Sequence, residues 1–174
     1  LDVMLKVVVL FPNVQFLIAA APTISLDYYQ SYLDNTPNVC LIANQTYDIL
    51  QHSEAALVTS GTATLETALF GVPQIVCYKT SPFMYHLVKR IIKVPYISIV
   101  NLIMQEQVVP EFIRKECTAP KLQLQLEKIL QGPARETMRQ KYQLLQAKLG
   151  RKGACNRTAK LMIDALKNYL NNQK

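Results

Sequence analysis

Several features that would point to particular protein classes are missing from this sequence. Its four cysteines, Cys40, Cys77, Cys117 and Cys155, lie far apart and form no C-x-x-C pair, so no zinc or redox motif is present. No apolar run reaches the roughly 18 residues that span a bilayer. The sequence opens Leu-Asp-Val-Met, without an initiator methionine or the basic start of a signal peptide. We therefore expect a segment of a longer protein from a reducing cytosol.

The sequence also lacks the side chains of familiar catalytic constellations. His52 and His86 have no serine or cysteine partner at a spacing typical of nucleophilic catalysis. Internal repeats and low-complexity tracts are absent as well. No catalytic residue and no metal ligand can be assigned on this basis, and no cofactor is expected.

Composition indicates a globular domain with a basic surface. The 174 residues are enough for one domain with a substantial core, and 50% of them are hydrophobic against 18% charged. The net charge of +7 favours anionic partners, which include nucleotide phosphates, acidic lipid surfaces and nucleic acid. For most individual lysines and arginines, a solvated surface position is an equally good interpretation.

Short apolar runs alternate with helix-like segments over the first hundred residues. The runs at 14–20, 39–42, 55–58, 74–78 and 96–100 predict five strands, and the first of these, VQFLIAA, is typical of a strand buried on both faces. The intervening segments and residues 121–130, 135–149 and 157–170 predict helices. This order predicts an α/β fold: a Rossmann-like parallel sheet with helices on both faces. We expect one domain over residues 1–150, with 151–174 forming a helix that packs elsewhere.

The segment 59–66, Thr-Ser-Gly-Thr-Ala-Thr-Leu-Glu, follows a predicted strand and opens a helix. A helix N-terminus presents unpaired N–H groups and partial positive charge, and Gly61 allows a phosphate to approach the backbone. The hydroxyls of Ser60, Thr62 and Thr64 add donors, so the segment can cradle a diphosphate without a lysine. Glu66 can accept hydrogen bonds from both hydroxyls of a ribose. The alternative is that Thr62 and Glu66 merely cap the helix.

Beyond this segment the sequence resembles a known family. The block SGTATLETALFGVPQIVCYKTSPFMYHLVKRIIKVPYISIVNLI, together with VVPEFIRKECTAPKL and LGRKGACNRTA, is similar to the lipid-A-disaccharide synthase family. The resemblance covers most of residues 39–165. It implies the C-terminal, donor-binding half of a GT-B fold, in which two Rossmann-like domains face each other across a cleft.

The resemblance also implies an activity and partners. The family transfers 2,3-diacylglucosamine from its UDP donor to 2,3-diacylglucosamine 1-phosphate, which yields the lipid A disaccharide and UDP without a metal. Its members work in the cytoplasm at the inner-membrane surface, as peripheral proteins of Gram-negative bacteria. The expected partners are therefore the UDP-sugar donor, the lipid acceptor and that membrane surface, and a homodimer with a second copy of the chain is a further expectation.

Several site residues follow from the resemblance rather than from spacing. Ser60, Gly61 and Thr62 match a phosphate-binding motif, and Glu66 matches a ribose-binding position. Asn101 matches a family Pro-Asn pair in which Val100 stands here in place of proline. Gln105 and Glu111 are expected near the sugar, and Gln45 at the mouth of a preceding loop. Asn101 could equally be a turn residue, and Glu111 could belong to the first turn of a helix.

Parts that the family needs are missing from the sequence. The expected Gly-Ser-Arg loop and the general base, an aspartate in the N-terminal domain, are not among these 174 residues. We therefore predict that the chain alone has no transferase activity. The strand before that loop would lie at the centre of a sheet ordered 3-2-1-4-5-6, so its absence predicts unpaired strand edges, a rearranged sheet or a strand supplied by another chain.

Two questions stay open at the level of sequence. The segment 82–92 is amphipathic and basic, so it either lies on an anionic membrane or packs its apolar face on the sheet. The alternatives to a glycosyltransferase are a UDP-sugar 2-epimerase and a basic module for membrane or nucleic acid. No cluster of His or Asp serves the epimerase, and the scattered basic residues do not indicate nucleic acid.

Overall fold

A computed structural model describes residues 1–33, 36, 38–59, 61–79, 95–150 and 153–171 of the chain. Ser60 and the predicted amphipathic helix at 82–92 lie outside these residues. The described part consists of strands and helices in the alternating order that the sequence predicts.

The elements, in chain order, begin with helix α1 and end with helix α8. The helices are α1 (Asp2–Val8), α2 (Leu26–Leu33), α3 (Thr46–His52), α4 (Thr62–Leu69), α5 (Ile99–Met104), α6 (Ala119–Leu130), α7 (Pro133–Leu149) and α8 (Ala154–Asn171). The strands are β1 (Phe16–Ala20), β2 (Val39–Ala43), β3 (Ala56–Thr59), β4 (Gln74–Tyr78) and β5 (Glu111–Ile113), and a 3₁₀ turn follows at Arg114–Glu116.

All described strand pairs are parallel, but the strands form two sheets. One sheet pairs β1 with β2, and the other has the order β3-β4-β5. The parallel α/β class is confirmed, and the five strands are divided between two open sheets. The division falls between β1 and β3, at the position where the sequence predicts unpaired strand edges, a rearranged sheet or a strand from another chain. Each of these two strands has a ladder partner on one side only within the described residues.

The predicted strand at 96–100 is wrong. Ile99 begins helix α5, and the side chain of Ser98 caps that helix by accepting a hydrogen bond from the amide of Asn101 at 3.3 Å. A short apolar run cannot be told from a buried helix by periodicity alone, and here the N-cap decides. The fifth strand instead comes after α5, at Glu111–Ile113, where it pairs with β4.

The core of the molecule surrounds β4. Its first four residues are buried, and both α4 and α6 pack against it. Helices α1 and α7 add the apolar side chains of Val7, Met138 and Leu145. Strand β1 is less covered than the sequence predicts, because Leu17 is 39% exposed and Ala19 is exposed too. One face of this strand is therefore partly open to water in the described part of the chain.

Helix α8 stands apart from this core. All its described side chains are exposed, including the large apolar ones of Leu161, Met162 and Leu166. Among the described helices, none is both long enough and apolar enough to cross a membrane. The amphipathic α8 therefore presents a surface that nothing in the described chain covers.

Candidate functional site

The turn between β3 and α4 is exposed and lies at the carboxyl end of a parallel strand. Strand β3 ends at Thr59, and Gly61 precedes the helix with φ +149°, a backbone conformation that favours glycine. Gly61, Thr62 and Ala63 are exposed, and the amides of Thr62 and Ala63 have no backbone acceptor among the described residues. Such amides, together with the helix dipole, favour a negatively charged ligand here.

The two threonines of this turn have different surroundings. Thr62 is exposed, and in the described chain its hydroxyl has no hydrogen-bond partner. Thr64 is fully buried, and its hydroxyl donates to the carbonyl of Gly61 at 2.8 Å. The amide of Thr64 donates to the same carbonyl at 3.1 Å. Thr62 is thus open to a ligand, whereas Thr64 braces the turn from inside.

Glu66 lies one turn further along α4 and does not cap the helix. The first turn of α4 contains no acidic residue. The carboxylate of Glu66 is half-buried and has neither a hydrogen bond nor an ion pair with any described residue. A carboxylate in this state has its full capacity to accept hydrogen bonds from a ligand.

Asn101 and Glu111, by contrast, are joined in a buried network. Asn101 is fully buried; its Nδ2 donates to the carbonyl of Val109 and to Oε1 of Glu111, both at 2.8 Å. Its Oδ1 accepts from the amides of Val108 and Val109 at 2.8 and 2.9 Å. The Asn101 amide group therefore has partners at both ends and holds the loop between α5 and β5.

Glu111 completes this network from the start of β5. Its two carboxylate oxygens accept hydrogen bonds from the amides of Ile97 and Ser98 at 3.0 and 2.9 Å. Glu111 therefore ties the beginning of α5 to β5, and does not lie in the first turn of a helix. Asn101 itself lies within helix α5 and not in a turn, and its role as a ligand stays a prediction.

The two glutamines of the predicted site, Gln45 and Gln105, are exposed and do not belong to this network. Gln105 ends α5 in the left-handed conformation, with φ +58°. Gln45 is the N-cap residue of α3 and follows the carboxyl end of β2, but its side chain makes no capping hydrogen bond. The structure thus joins Asn101 to Glu111 directly and leaves Gln45 on the smaller sheet. The packing of α5 on α4 connects the network with the Gly61 turn.

Basic residues at the strand ends are candidates that sequence reasoning missed. Lys79 follows β4, and Arg114 and Lys115 follow β5, so all three come after the carboxyl ends of strands in the sheet that contains β3. Arg114 and Lys115 line an open pocket together with Glu111, Ile113 and Glu116. A position directly after a predicted strand could have identified these residues from the sequence. For Arg114 and Lys115 it did not, because the fifth strand was predicted at 96–100 and not at Glu111–Ile113. These cations can offset the charge of an anion bound at this edge.

The buried titratable groups near β4 are not suited to nucleophilic chemistry. Burial raises the pKa of the Cys77 thiol, with a smaller contribution from Cys117, so its reactive thiolate form is suppressed. Burial also raises the pKa of Tyr142, which therefore remains neutral. Within the described residues, no group of three or more His, Cys, Asp or Glu side chains is arranged to hold a metal ion. What the geometry offers is binding and electrostatic stabilisation of an anion.

Comparison with known proteins identifies the family of this chain. The sequence profile of the lipid-A-disaccharide synthetase family matches residues 5–165. The chain is 33% identical over 158 residues to the lipid-A-disaccharide synthase of Geobacter sulfurreducens, which covers 90% of the chain and 41% of that relative. It is 36% identical over 157 residues to the synthase of Syntrophus aciditrophicus, covering 88% of the chain and 41% of the relative.

A third relative matches a shorter segment at higher identity. Over 70 residues the chain is 53% identical to the lipid-A-disaccharide synthase of Aquifex aeolicus, and this segment is 40% of the chain and 20% of that relative. The chain thus spans about two fifths of the length of the curated relatives that it matches along most of its own length. With a profile match that extends over nearly the whole sequence, this chain belongs to the lipid-A-disaccharide synthetase family.

Proposed function

We propose that this chain is the donor-binding part of a glycosyltransferase that joins two acylated glucosamine units into the lipid A disaccharide. The observation that carries the proposal is the exposed start of α4, from Gly61 to Ala63, within a segment that the family profile matches. Ligands of open α/β sheets bind outside the carboxyl ends of the strands, which is where this turn lies.

In the proposed complex, the diphosphate of a UDP-sugar lies at the start of α4. The amides of Thr62 and Ala63, which have no backbone acceptor among the described residues, donate to phosphate oxygens. The hydroxyls of Thr62 and Ser60 donate to them as well. Glu66 accepts the two ribose hydroxyls. Lys79 and Arg114 offset the negative charge that grows on the diphosphate as it leaves.

Asn101 and Glu111 support this site through the loop between α5 and β5. Because their side chains are committed to each other and to the backbone, they fix where that loop runs. Gln105 begins the loop and is exposed, so it is the member of this group that reaches the sugar. Gln45 borders the same edge from the smaller sheet.

The reaction of the whole protein needs groups that lie beyond this chain. The 6-hydroxyl of 2,3-diacylglucosamine 1-phosphate attacks C1 of UDP-2,3-diacylglucosamine, and the bond from C1 to the diphosphate oxygen breaks. The hydroxyl proton passes to a general base in a separate N-terminal domain, and UDP leaves. We further propose that α8 packs its exposed apolar face on that domain, and that the protein works at the cytoplasmic surface of the inner membrane, where acylated substrates are found.

The binding half of the proposal is tested by titrating the chain with UDP in a calorimeter and by measuring its melting temperature. Millimolar UDP should raise the melting temperature, because it binds the native state only. Thr62→Glu places a carboxylate at the exposed start of α4. It should weaken UDP binding by at least about tenfold through repulsion of the diphosphate, yet keep or raise stability, since a negative charge favours a helix N-terminus.

Ala134→Glu is the matched control, because it adds the same charge to the exposed first turn of α7. It should leave the UDP affinity unchanged. Equal loss of affinity in both variants would mean that net charge, and not the α4 turn, controls binding, and a wild-type chain without affinity for UDP would overturn the proposal. Product analysis of the whole protein with both acylated sugars tests the reaction; turnover by the chain alone would contradict a general base outside it.

A further inference from the structure

A buried glutamine connects the start of α4 with α7. Gln74 is the first residue of β4, and none of its side chain is exposed. Its Nε2 donates to the carbonyl of Thr64 at 2.8 Å and to the hydroxyl of Tyr142 at 3.4 Å. Tyr142 belongs to α7 and is itself buried. The side-chain amide of Gln74 therefore lies where β4, α4 and α7 meet.

The hydrogen bonds continue from Gln74 to the exposed turn through a single residue. The carbonyl of Thr64 accepts a hydrogen bond from the side-chain amide of Gln74. The backbone amide and the hydroxyl of Thr64 both donate to the carbonyl of Gly61. Movement of Gln74 would therefore shift Thr64, and with it the carbonyl that sets the orientation of the Gly61 turn. No other described side chain donates to the Thr64 carbonyl.

The same glutamine carries an unfavourable feature. Its Oε1 is buried and has no hydrogen-bond partner among the described residues. A buried acceptor without a partner lowers stability, and an unbranched apolar side chain such as methionine would fill this space without that penalty. The stability of the core alone does not account for a glutamine here.

We propose that Gln74 is a positioning residue for nucleotide binding: it holds the first turn of α4 so that the amides at Gly61, Thr62 and Ala63 point at the diphosphate. The proposal rests on the proposed function and adds the residue that orders the site from behind. Gln74 does not touch the ligand. Its effect should therefore appear in the affinity for phosphate-bearing ligands and not in the affinity for the nucleoside.

The test compares Gln74→Met with the wild-type chain, using UDP in a calorimeter and uridine in an NMR titration. Gln74→Met keeps the volume and removes both the donor and the orphaned acceptor. Because the variant removes the orphaned acceptor but also the partner of the buried Tyr142 hydroxyl, we expect the melting temperature to fall by no more than about 2–4 °C. The dissociation constant for UDP should increase about fivefold to tenfold, while that for uridine stays unchanged. Leu126→Met, a buried exchange on α6, should alter neither constant.

Each outcome separates this proposal from the one on which it depends. A wild-type chain that binds no UDP overturns the proposed function and the role of Gln74 together. The role of Gln74 alone is overturned if the wild-type chain binds UDP and the Gln74→Met variant binds it equally well. It is also overturned if the variant loses affinity for uridine to the same extent as for UDP. Should Gln74→Met not fold, Tyr142→Phe removes only the hydroxyl that Gln74 contacts. This variant should lower the affinity for UDP about twofold and leave the affinity for uridine unchanged, and an unchanged affinity for UDP would overturn the proposal.

Discussion

At the scale of single residues, the hydrogen-bonding state of a side chain separates ligand candidates from structural ones. The side chains of Thr62 and Glu66 have no hydrogen-bond partner among the residues that the structure describes, so they can still bind a ligand at the edge of the sheet. Asn101 and Thr64 are buried with their polar atoms committed to the chain itself. Residues of both kinds can matter for binding, but the first kind acts by contact and the second by position.

Asn101 provides the residue-scale prediction. Asn101→Ala would leave the buried amide of Val109 without its acceptor and Glu111 without one donor, and the amide of Val108 would keep only the carbonyl of Glu106. Because each buried unsatisfied group costs about 1–3 kcal/mol, the free energy of unfolding should fall by about 3 kcal/mol or more. Urea denaturation of the chain measures it.

Asn38→Ala is the control for this variant. Asn38 also donates twice from its side chain, to the carbonyls of Phe11 and Val14, but its site is only partly buried and water can replace it there. Asn38→Ala should lower the free energy of unfolding by less, about 1 kcal/mol. A loss for Asn101→Ala no greater than this would show that the loop between α5 and β5 does not depend on the network.

At the scale of elements, α7 and α8 contrast although both are long and amphipathic. Helix α7 buries Met138, Tyr142 and Leu145 against the core, and its packing on α4 supports the candidate site. Helix α8 buries none of its described side chains. Its contribution to the stability of the rest of the chain should therefore be small.

Deletion of residues 151–174 tests this difference. The melting temperature of the shortened chain should stay within about 2 °C of the full chain, because no buried apolar surface is lost. Leu145→Ala in α7 serves as a positive control and should lower stability by about 2–5 kcal/mol, since Leu145 is fully buried. A fall of about 5 °C or more on deletion would mean that α8 packs on the core in solution.

At the scale of the whole molecule, the two sheets leave one edge of β1 and one edge of β3 unpaired within the described chain. The amide of Phe16 donates toward β2, and that of Ala56 donates to the carbonyl of Pro73, toward β4. Successive amides in a strand point to opposite sides, so those of Leu17, Ala19 and Leu57 point to the open edges. An unpaired edge of this kind is a position at which another strand can add.

Hydrogen exchange measured by NMR checks this arrangement. The amides of Leu17, Ala19 and Leu57 should exchange much faster than those of Ile75 and Val76, because β4 is paired on both sides by β3 and β5. The amides of Phe16 and Ala56 serve as controls within the same strands, since they are bonded and should be protected. Uniform protection along β1 would show that another segment or a second copy fills the open edge.

Local sequence patterns account for much of what was predicted correctly. The bounds of α4 and β4 follow from Gly61, Gly71 and Pro73, which mark the ends of an apolar helix and the start of an apolar strand. The strand at 96–100 failed because Ser98 and the apolar residues after it are compatible with either structure. Arg114 was missed for the same reason, since its importance depends on the strand that precedes it.

The sequence by itself determined the parallel α/β class, the glycine turn at the end of β3 and the family, because these depend on residues close together in the chain. Only the tertiary structure decided the division into two sheets, the pairing of Asn101 with Glu111 and the contacts of Gln74 with Thr64 and Tyr142. The contact between Gln74 and Tyr142 joins residues that are 68 positions apart in the chain. No periodicity records such a contact, since it is set by how helices pack on β4 and by which buried polar atoms find a partner.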